Sequence, residues 1–302
     1  MRINFVSYLH PEYYHGGGEL DNLALIISGR KLGHDIKIAA RRTGKLSKFF
    51  TPRKELHLNP HLWLLSDVWN CPDQRTPFDE AFIRSIVEDA AFVHIDNAYV
   101  DICSRSGLPC NGAIGSCPAE CDLQRAHWLY SRSRKNFFLS PLHLRVVNGM
   151  LGNRYLEKAA WLRPLIDVSR FVNKHQKRDI EYLYVGTISD YKGYQNIKNR
   201  FGNQKDFLFV GPSLLDEPVF GRHVPNVPHD RINELYNRAV NYVHLPKWIE
   251  PMGRVVVEAA LCGAQIIGNE NVGALSFPFS ISEPNNMINS GLLFWEEAGR
   301  VL

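Results

Sequence analysis

No apolar stretch among the 302 residues approaches the roughly 20 needed to cross a bilayer as a helix. The opening MRINFVSYLH has no basic segment followed by a long apolar run, so neither a membrane span nor a secretory leader is expected, and the sequence reads as cytoplasmic. Low-complexity tracts and repeats of fixed period are also missing, which excludes a solenoid or a disordered chain. Net charge is small: 35 Lys and Arg against 31 Asp and Glu leave +4, which does not announce a nucleic-acid or membrane binder, although charge can still be concentrated locally. The paired CxxC spacing of a structural zinc site is absent. Four of the six cysteines, Cys103, Cys110, Cys117 and Cys121, share one stretch at other spacings, so zinc there rests on a weak match and reduced structural thiols are the better reading.

What is present is an ordinary globular composition, 45% hydrophobic, with a periodic alternation of strand and helix signals. Ile3 to Ser7 reads as a strand, Gly16, Gly17 and Gly18 as a turn, Leu20 to Leu32 as a helix closed by Gly33, and Ile36 to Ala39 as a second strand, which together make a βαβ unit. A helix ending near Ala91 and a strand at Phe92 to Ile95 continue the series, and the alternation runs on to about Leu165. A second series starts at Glu181, with strands at EYLYVG, Phe207 to Val210, Asn241 to Leu245 and Gln265 to Ile267 and helices at Arg231 to Ala239 and Arg254 to Cys262. The expectation is two α/β Rossmann-like lobes, residues 1–170 and 171–280, joined near 166–180 and facing each other across a cleft, with a helical tail at 281–302 that packs back on the first lobe. In open α/β sheets ligands lie beyond the carboxyl ends of the strands. Gly17, Gly186, Lys192, Gly211 and Glu250 all follow predicted strands and so fall on that edge.

The strongest single signal is Trp248-Ile249-Glu250-Pro251-Met252-Gly253-Arg254, running into a helix that carries Glu258. A loop and helix start of this kind offer backbone N–H groups to a diphosphate or a sugar hydroxyl. Glu250 and Glu258 are each able to accept two hydroxyl hydrogen bonds, which suits a vicinal diol. The alternative is a surface glutamate and a helix glutamate at accidental spacing.

This stretch resembles glycosyltransferase family four, retaining enzymes of the GT-B fold whose signature is E-x-[FM]-G-x4-E. The resemblance implies that Glu250 contacts the transferred sugar and Glu258 the nucleotide ribose. Tyr184-Val185-Gly186-Thr187-Ile188-Ser189-Asp190-Tyr191-Lys192-Gly193 is similar to the family's V-G-R-x4-K-G, which assigns Lys192 to the diphosphate and places Thr187 where the family has arginine. Ala259 to Ile267 follows the family's next segment, with Gln265 in place of proline and Cys262 as a packing residue. Val224 begins a segment that resembles the base-contacting one, and His15-Gly16-Gly17-Gly18-Glu19 resembles the glycine loop of the first lobe, where Gly17 and Gly18 let a donor or acceptor approach. The family's first-lobe histidine has no counterpart at Ala113 to Cys117. His94 is read as a satisfied core histidine or a sugar contact, and Asp96, Asn97 and His15 as further sugar or acceptor contacts.

The resemblance implies a hexosyltransferase that uses a nucleotide sugar, UDP-linked by preference, through a front-face route in which Lys192, the amides of Met252 and Gly253, and Arg254 stabilise the leaving diphosphate. No Asp-x-Asp clamp is evident, so neither metal nor cofactor is expected. The acceptor stays open among a saccharide, a lipid carrier and a modified DNA base. Residues 41–54 and 125–145 contain no acid and several aromatics, and fit either a solvated basic face or contact with an anionic surface, including peripheral association with a membrane. Thr187 and the missing histidine also keep open a nucleotide-sugar-binding protein without turnover.

Overall fold

The computed structural model describes residues 1–13, 16–42, 55–68, 80–103 and 122–302. The chain forms two units, one of Met1–Leu165 with Asn289–Leu302, the other of Ile166–Ile288.

In the first unit, six parallel strands are ordered β2-β1-β3-β4-β5-β6. They are β1 (Arg2–Leu9), β2 (Asp35–Arg42), β3 (Leu62–Ser66), β4 (Phe92–Asp96), β5 (Asn136–Phe138) and β6 (Ala159–Trp161). Five consecutive residues of β1, Ile3 to Ser7, are buried, as expected of a parallel strand covered on both faces. The helices are α1 (Gly17–Lys31), α2 (Glu80–Asp89), α3 (Leu123–Arg132) and α4 (Pro141–Met150). Strand β3, LWLLS, went unforeseen because a short continuous apolar run fits a strand and a buried helix turn equally well.

The second unit has five parallel strands ordered β11-β10-β7-β8-β9. They are β7 (Ile180–Val185), β8 (Phe207–Val210), β9 (Arg222–Val224), β10 (Ala239–His244) and β11 (Gln265–Gly268), with helices α5 (Tyr194–Phe201), α6 (Ile232–Arg238) and α7 (Arg254–Leu261). Its core is strongly aromatic, with Tyr184, Tyr194, Phe207 and Phe209 packed on Ile197 and Val243. The short exposed edge strand β9 carries no apolar alternation and was not predicted. The order reverses between β7 and β10, so their carboxyl ends form the switch point at which such sheets place ligands.

The last helix, α8 (Ser290–Gly299), belongs to the first unit and packs on α1. Trp295 donates its indole N–H to the Leu25 carbonyl at 3.0 Å and to Ser28 Oγ at 3.1 Å, and the indole passes so close to Gly29 that a Cβ there would overlap it. Phe294 meets Phe137 at 4.8 Å between ring centres, and Lys135 pairs with Glu297 at 2.7 Å.

Candidate functional site

The two loops at the switch point of the second unit are tied together by main-chain bonds. The N–H groups of Lys247 and Trp248, after β10, both donate to the Tyr191 carbonyl, after β7, at 3.1 Å. Asn196 donates to the Leu245 carbonyl at 2.9 Å, and Asn269 and Asn271 both donate to the Pro246 carbonyl. Glu250 is pinned at its main chain, its N–H on the Asn271 carbonyl at 2.8 Å and its own carbonyl receiving Gly273 N–H at 3.0 Å. The sequence reaches these conformations through glycine: Gly193 and Gly253 start α5 and α7 with φ of 91° and 85°.

This framework brings Lys192 and Glu250 together. The ammonium donates to Glu250 Oε1 and lies 4.5 Å from the centre of the Trp248 ring, a cation–π contact that further fixes it. Glu250 Oε2 accepts from His244 Nε2 at 2.5 Å. Burial pushes the Glu250 carboxyl up, but the Lys192 charge, the His244 ring and the hydrogen bonds from both outweigh it and hold the group below the usual carboxylate range. Glu250 is therefore an ionised acceptor at any physiological pH and not a proton donor. Two acceptor positions per oxygen leave it able to receive sugar hydroxyls as well.

Glu258, buried on α7, accepts from Arg254 Nε at 3.0 Å, one helical turn away, while Tyr236 Oη stands 3.5 Å from its other oxygen. Met252 is buried and its carbonyl receives the Ala274 N–H. Gly186 follows β7 with φ of 137°, and the Thr187 carbonyl accepts from the Tyr184 hydroxyl at 2.8 Å. Val224 ends β9, 36% exposed, with its carbonyl taking Gly211 N–H at 2.9 Å. Among the donor-side residues named from sequence, Lys192, Gly186, Thr187, Met252, Gly253, Arg254, Val224, Glu250 and Glu258 thus all belong to this unit.

In the first unit, Gly17 opens α1 in an exposed position, and Gly18 faces Asn97 so closely that a Cβ would sit 3.2 Å from the Asn97 Cβ. Asn97 donates to Ser66 Oγ at 2.8 Å and to Asp67 Oδ2 at 3.2 Å, at the carboxyl ends of β3 and β4. His94 and Asp96 need correcting as sugar or acceptor contacts: both are fully buried. His94 pairs with Asp101 at 2.7 Å; Asp96 accepts from the Tyr130 hydroxyl and from the Tyr99 N–H at 2.9 Å, with His143 at 3.3 Å. Buried charges survive only when paired in this way, and the network is an interior one. His15, the glycine loop's first residue, residues 43–54, and Cys110, Cys117 and Cys121 lie outside the described residues; Cys103 is a buried thiol.

Sequence reasoning missed two groups. Asp67 lies just beyond β3; although the residue as a whole keeps some exposure, its carboxyl is packed inward, and that burial together with the charges of Asp101 and Asp96 pushes it well above the usual range. The signal was the polar Ser66-Asp67 pair ending an apolar run. His244 is the other, and its only signal is its place as the last residue of a strand that leads into the Glu250 loop. Its ring lies nearly parallel to those of Tyr184 and Tyr242, at 5.9 and 6.3 Å. Nδ1 is buried with no hydrogen-bond partner among the described residues. A buried N–H without an acceptor costs about 1–3 kcal/mol, so the geometry assigns the ring proton to Nε2, on Glu250.

No protein-family model matches the chain, and no curated protein matches it in sequence. Solved structures do. Sucrose-phosphate synthase from Thermosynechococcus elongatus superposes with a TM-score of 0.63 at 12% identity, covering 99% of this chain and 91% of that one. HepE from Anabaena, in complex with UDP, gives 0.61 at 14%, covering 100% and 92%. An α-glucosyltransferase in complex with UDP and a 13-mer DNA containing a HMU base gives 0.59 at 10%, covering 98% and 90%. At such identities the likeness speaks to architecture, and with two parallel-sheet α/β units the chain has the GT-B fold.

Proposed function

We propose that the chain is a glycosyltransferase that moves a hexose from a nucleotide sugar, UDP-linked by preference, to a hydroxyl acceptor with retention of configuration and without a metal. The observation that carries this reading is the Lys192–Glu250 pair at the switch point of the second sheet. Lys192 supplies a positive charge on Glu250, the carboxylate that also lies against Gly253 at the start of α7, where a departing diphosphate gains negative charge. Glu250 supplies a permanently ionised acceptor for sugar hydroxyls, and Glu258, one and then two turns into α7, an acceptor for a ribose diol. Among the described residues no group of three or more His, Cys, Asp or Glu is arranged to hold a metal ion. The reading without metal rests on the resemblance to family four, as does retention. HepE and the α-glucosyltransferase, both in complex with UDP, favour a uridine donor.

Thermal-shift titration with UDP-, GDP- and ADP-sugars tests the donor, because a ligand bound only by the folded state raises the melting temperature by mass action. A shift with none of the three sinks the reading; a shift without transfer to any acceptor favours the binding protein without turnover. The anomeric proton of the product reports retention or inversion.

A modified DNA base is the second reading of the acceptor. Its support is the exposed Arg132 and Arg134 in a segment, 125–145, without a single acid, together with the DNA in the α-glucosyltransferase complex. Duplex binding that stays undetectable at low salt eliminates it.

A further inference from the structure

The His244 ring is immobilised more completely than a plain core residue requires. It is 2% exposed, lies nearly parallel to Tyr184 and Tyr242, and is the last residue of β10, six positions before the carboxylate it contacts. Both tyrosines are themselves anchored: Tyr242 donates to the Val185 carbonyl at 3.1 Å and Tyr184 to the Thr187 carbonyl at 2.8 Å, so the clamp is fixed to the end of β7, on the strand that leads to Lys192. With His244 on Glu250 Oε2, Oε1 is the oxygen that meets the Lys192 ammonium.

We propose that His244 is a positioning residue, holding the Glu250 carboxylate in the one rotamer that sets the Lys192 ammonium for the donor diphosphate. The assignment rests on the function proposed above. His244 acts through Glu250, by donating from Nε2 while the tyrosine pair prevents the ring from turning. A carboxylate released from that bond is free to rotate on the flexible glutamate chain, and the ammonium follows it. The step affected is the one in which negative charge grows on the leaving group, so kcat is the parameter that responds, and ground-state donor binding changes little.

The test compares His244→Gln, whose amide nitrogen reaches close to the Nε2 position and donates, with His244→Leu, which fills similar space and donates nothing. His244→Leu is expected to lower kcat by about tenfold or more with the donor KM changed less than about threefold, and His244→Gln to recover most of the loss. A purely structural role for the ring predicts two variants of equal activity, and that result overturns the proposal. A second arm does not depend on turnover. In protein labelled with 15N at histidine, the His244 ring is expected to carry its proton on Nε2, in slow exchange with water and shifted in Glu250→Gln; a proton on Nδ1, or a signal indifferent to Glu250→Gln, overturns the proposal as well. A wild-type chain that binds no nucleotide sugar defeats the function proposed above, and the labelled-histidine arm then decides the state of His244 alone.

Discussion

A Cβ on Gly193 would overlap the carbonyl oxygen of Leu245. The loop after β7 and the end of β10 therefore meet without room for a methyl group, at a residue whose φ of 91° already disfavours any side chain. Gly193→Ala is expected to destabilise the second unit by about 2 kcal/mol or more, since clash and backbone strain add. Gly149→Ala, in the last turn of α4 with open space around it, should be neutral or stabilise by up to about 1 kcal/mol. Urea unfolding of the two variants checks the contrast, and equal midpoints refute it.

Two buried, depressed carboxyls, Asp96 and Glu250, contribute to acid stability. Burial raises Asp96, but His143, His94 and the Tyr130 hydroxyl bring it down to about 2, and Glu250 likewise lies below its ordinary value. A group depressed in the folded state stabilises it above the unfolded value of about 4, and that contribution is lost as pH falls towards the folded one. Asp67 has the opposite sign: its stabilisation is complete below about pH 4 and is lost as pH rises through its raised folded value. Because the Asp67 contribution varies only above about pH 4, it does not oppose the loss from Asp96 and Glu250 below that pH, so unfolding midpoints should drop between about pH 4.5 and 2, and Asp96→Asn should be weaker at pH 7 with a flatter acid limb. A wild-type midpoint unchanged over that window contradicts the assignment.

The indole of Trp295 joins the last helix to α1 through two hydrogen bonds and a contact that only glycine at position 29 permits. Trp295→Ala should cost about 3–5 kcal/mol, the usual range for a buried tryptophan, and Gly29→Ala should also destabilise by displacing the ring. Circular dichroism on heating measures both, and a Trp295→Ala melting curve that matches wild type rules out this anchor.

Most of the second unit was legible in the sequence, because the glycines at 186, 193, 211 and 253 mark strand ends and helix starts, and Lys192, Glu250 and Glu258 fall at fixed distances from them. The first unit was less so. The polar residues at its strand ends are held by contacts distant in sequence, such as Asn97 with Ser66 and Asn22, and no local spacing announces those. The same holds for His94 and Asp96: a polar residue in or at the end of a strand suggests a contact, but whether its side chain turns outward or into an interior network depends on partners such as Asp101, Tyr130 and His143. His244 escaped notice for a related reason, since a histidine inside an apolar strand is ordinary until the carboxylate it faces is known.

Arg254 and Glu258 supply the last prediction. Their side chains are 12% and 3% exposed, so the pair is screened far less than a surface i,i+4 pair, and Glu258 is an acceptor held at the second turn of α7. If Glu258 receives the ribose hydroxyls, Glu258→Gln keeps the shape but weakens charge-assisted bonds worth roughly 1.5–3 kcal/mol, a loss of about tenfold or more in affinity for the whole donor and for the free nucleoside diphosphate alike. If Glu250 instead receives hydroxyls of the transferred hexose, Glu250→Gln should spare the free nucleoside diphosphate and weaken the complete nucleotide sugar. Calorimetric titration of each variant with UDP and with a UDP-hexose separates the two. Equal losses for both ligands in both variants would show that the carboxylates only hold the fold of the loop.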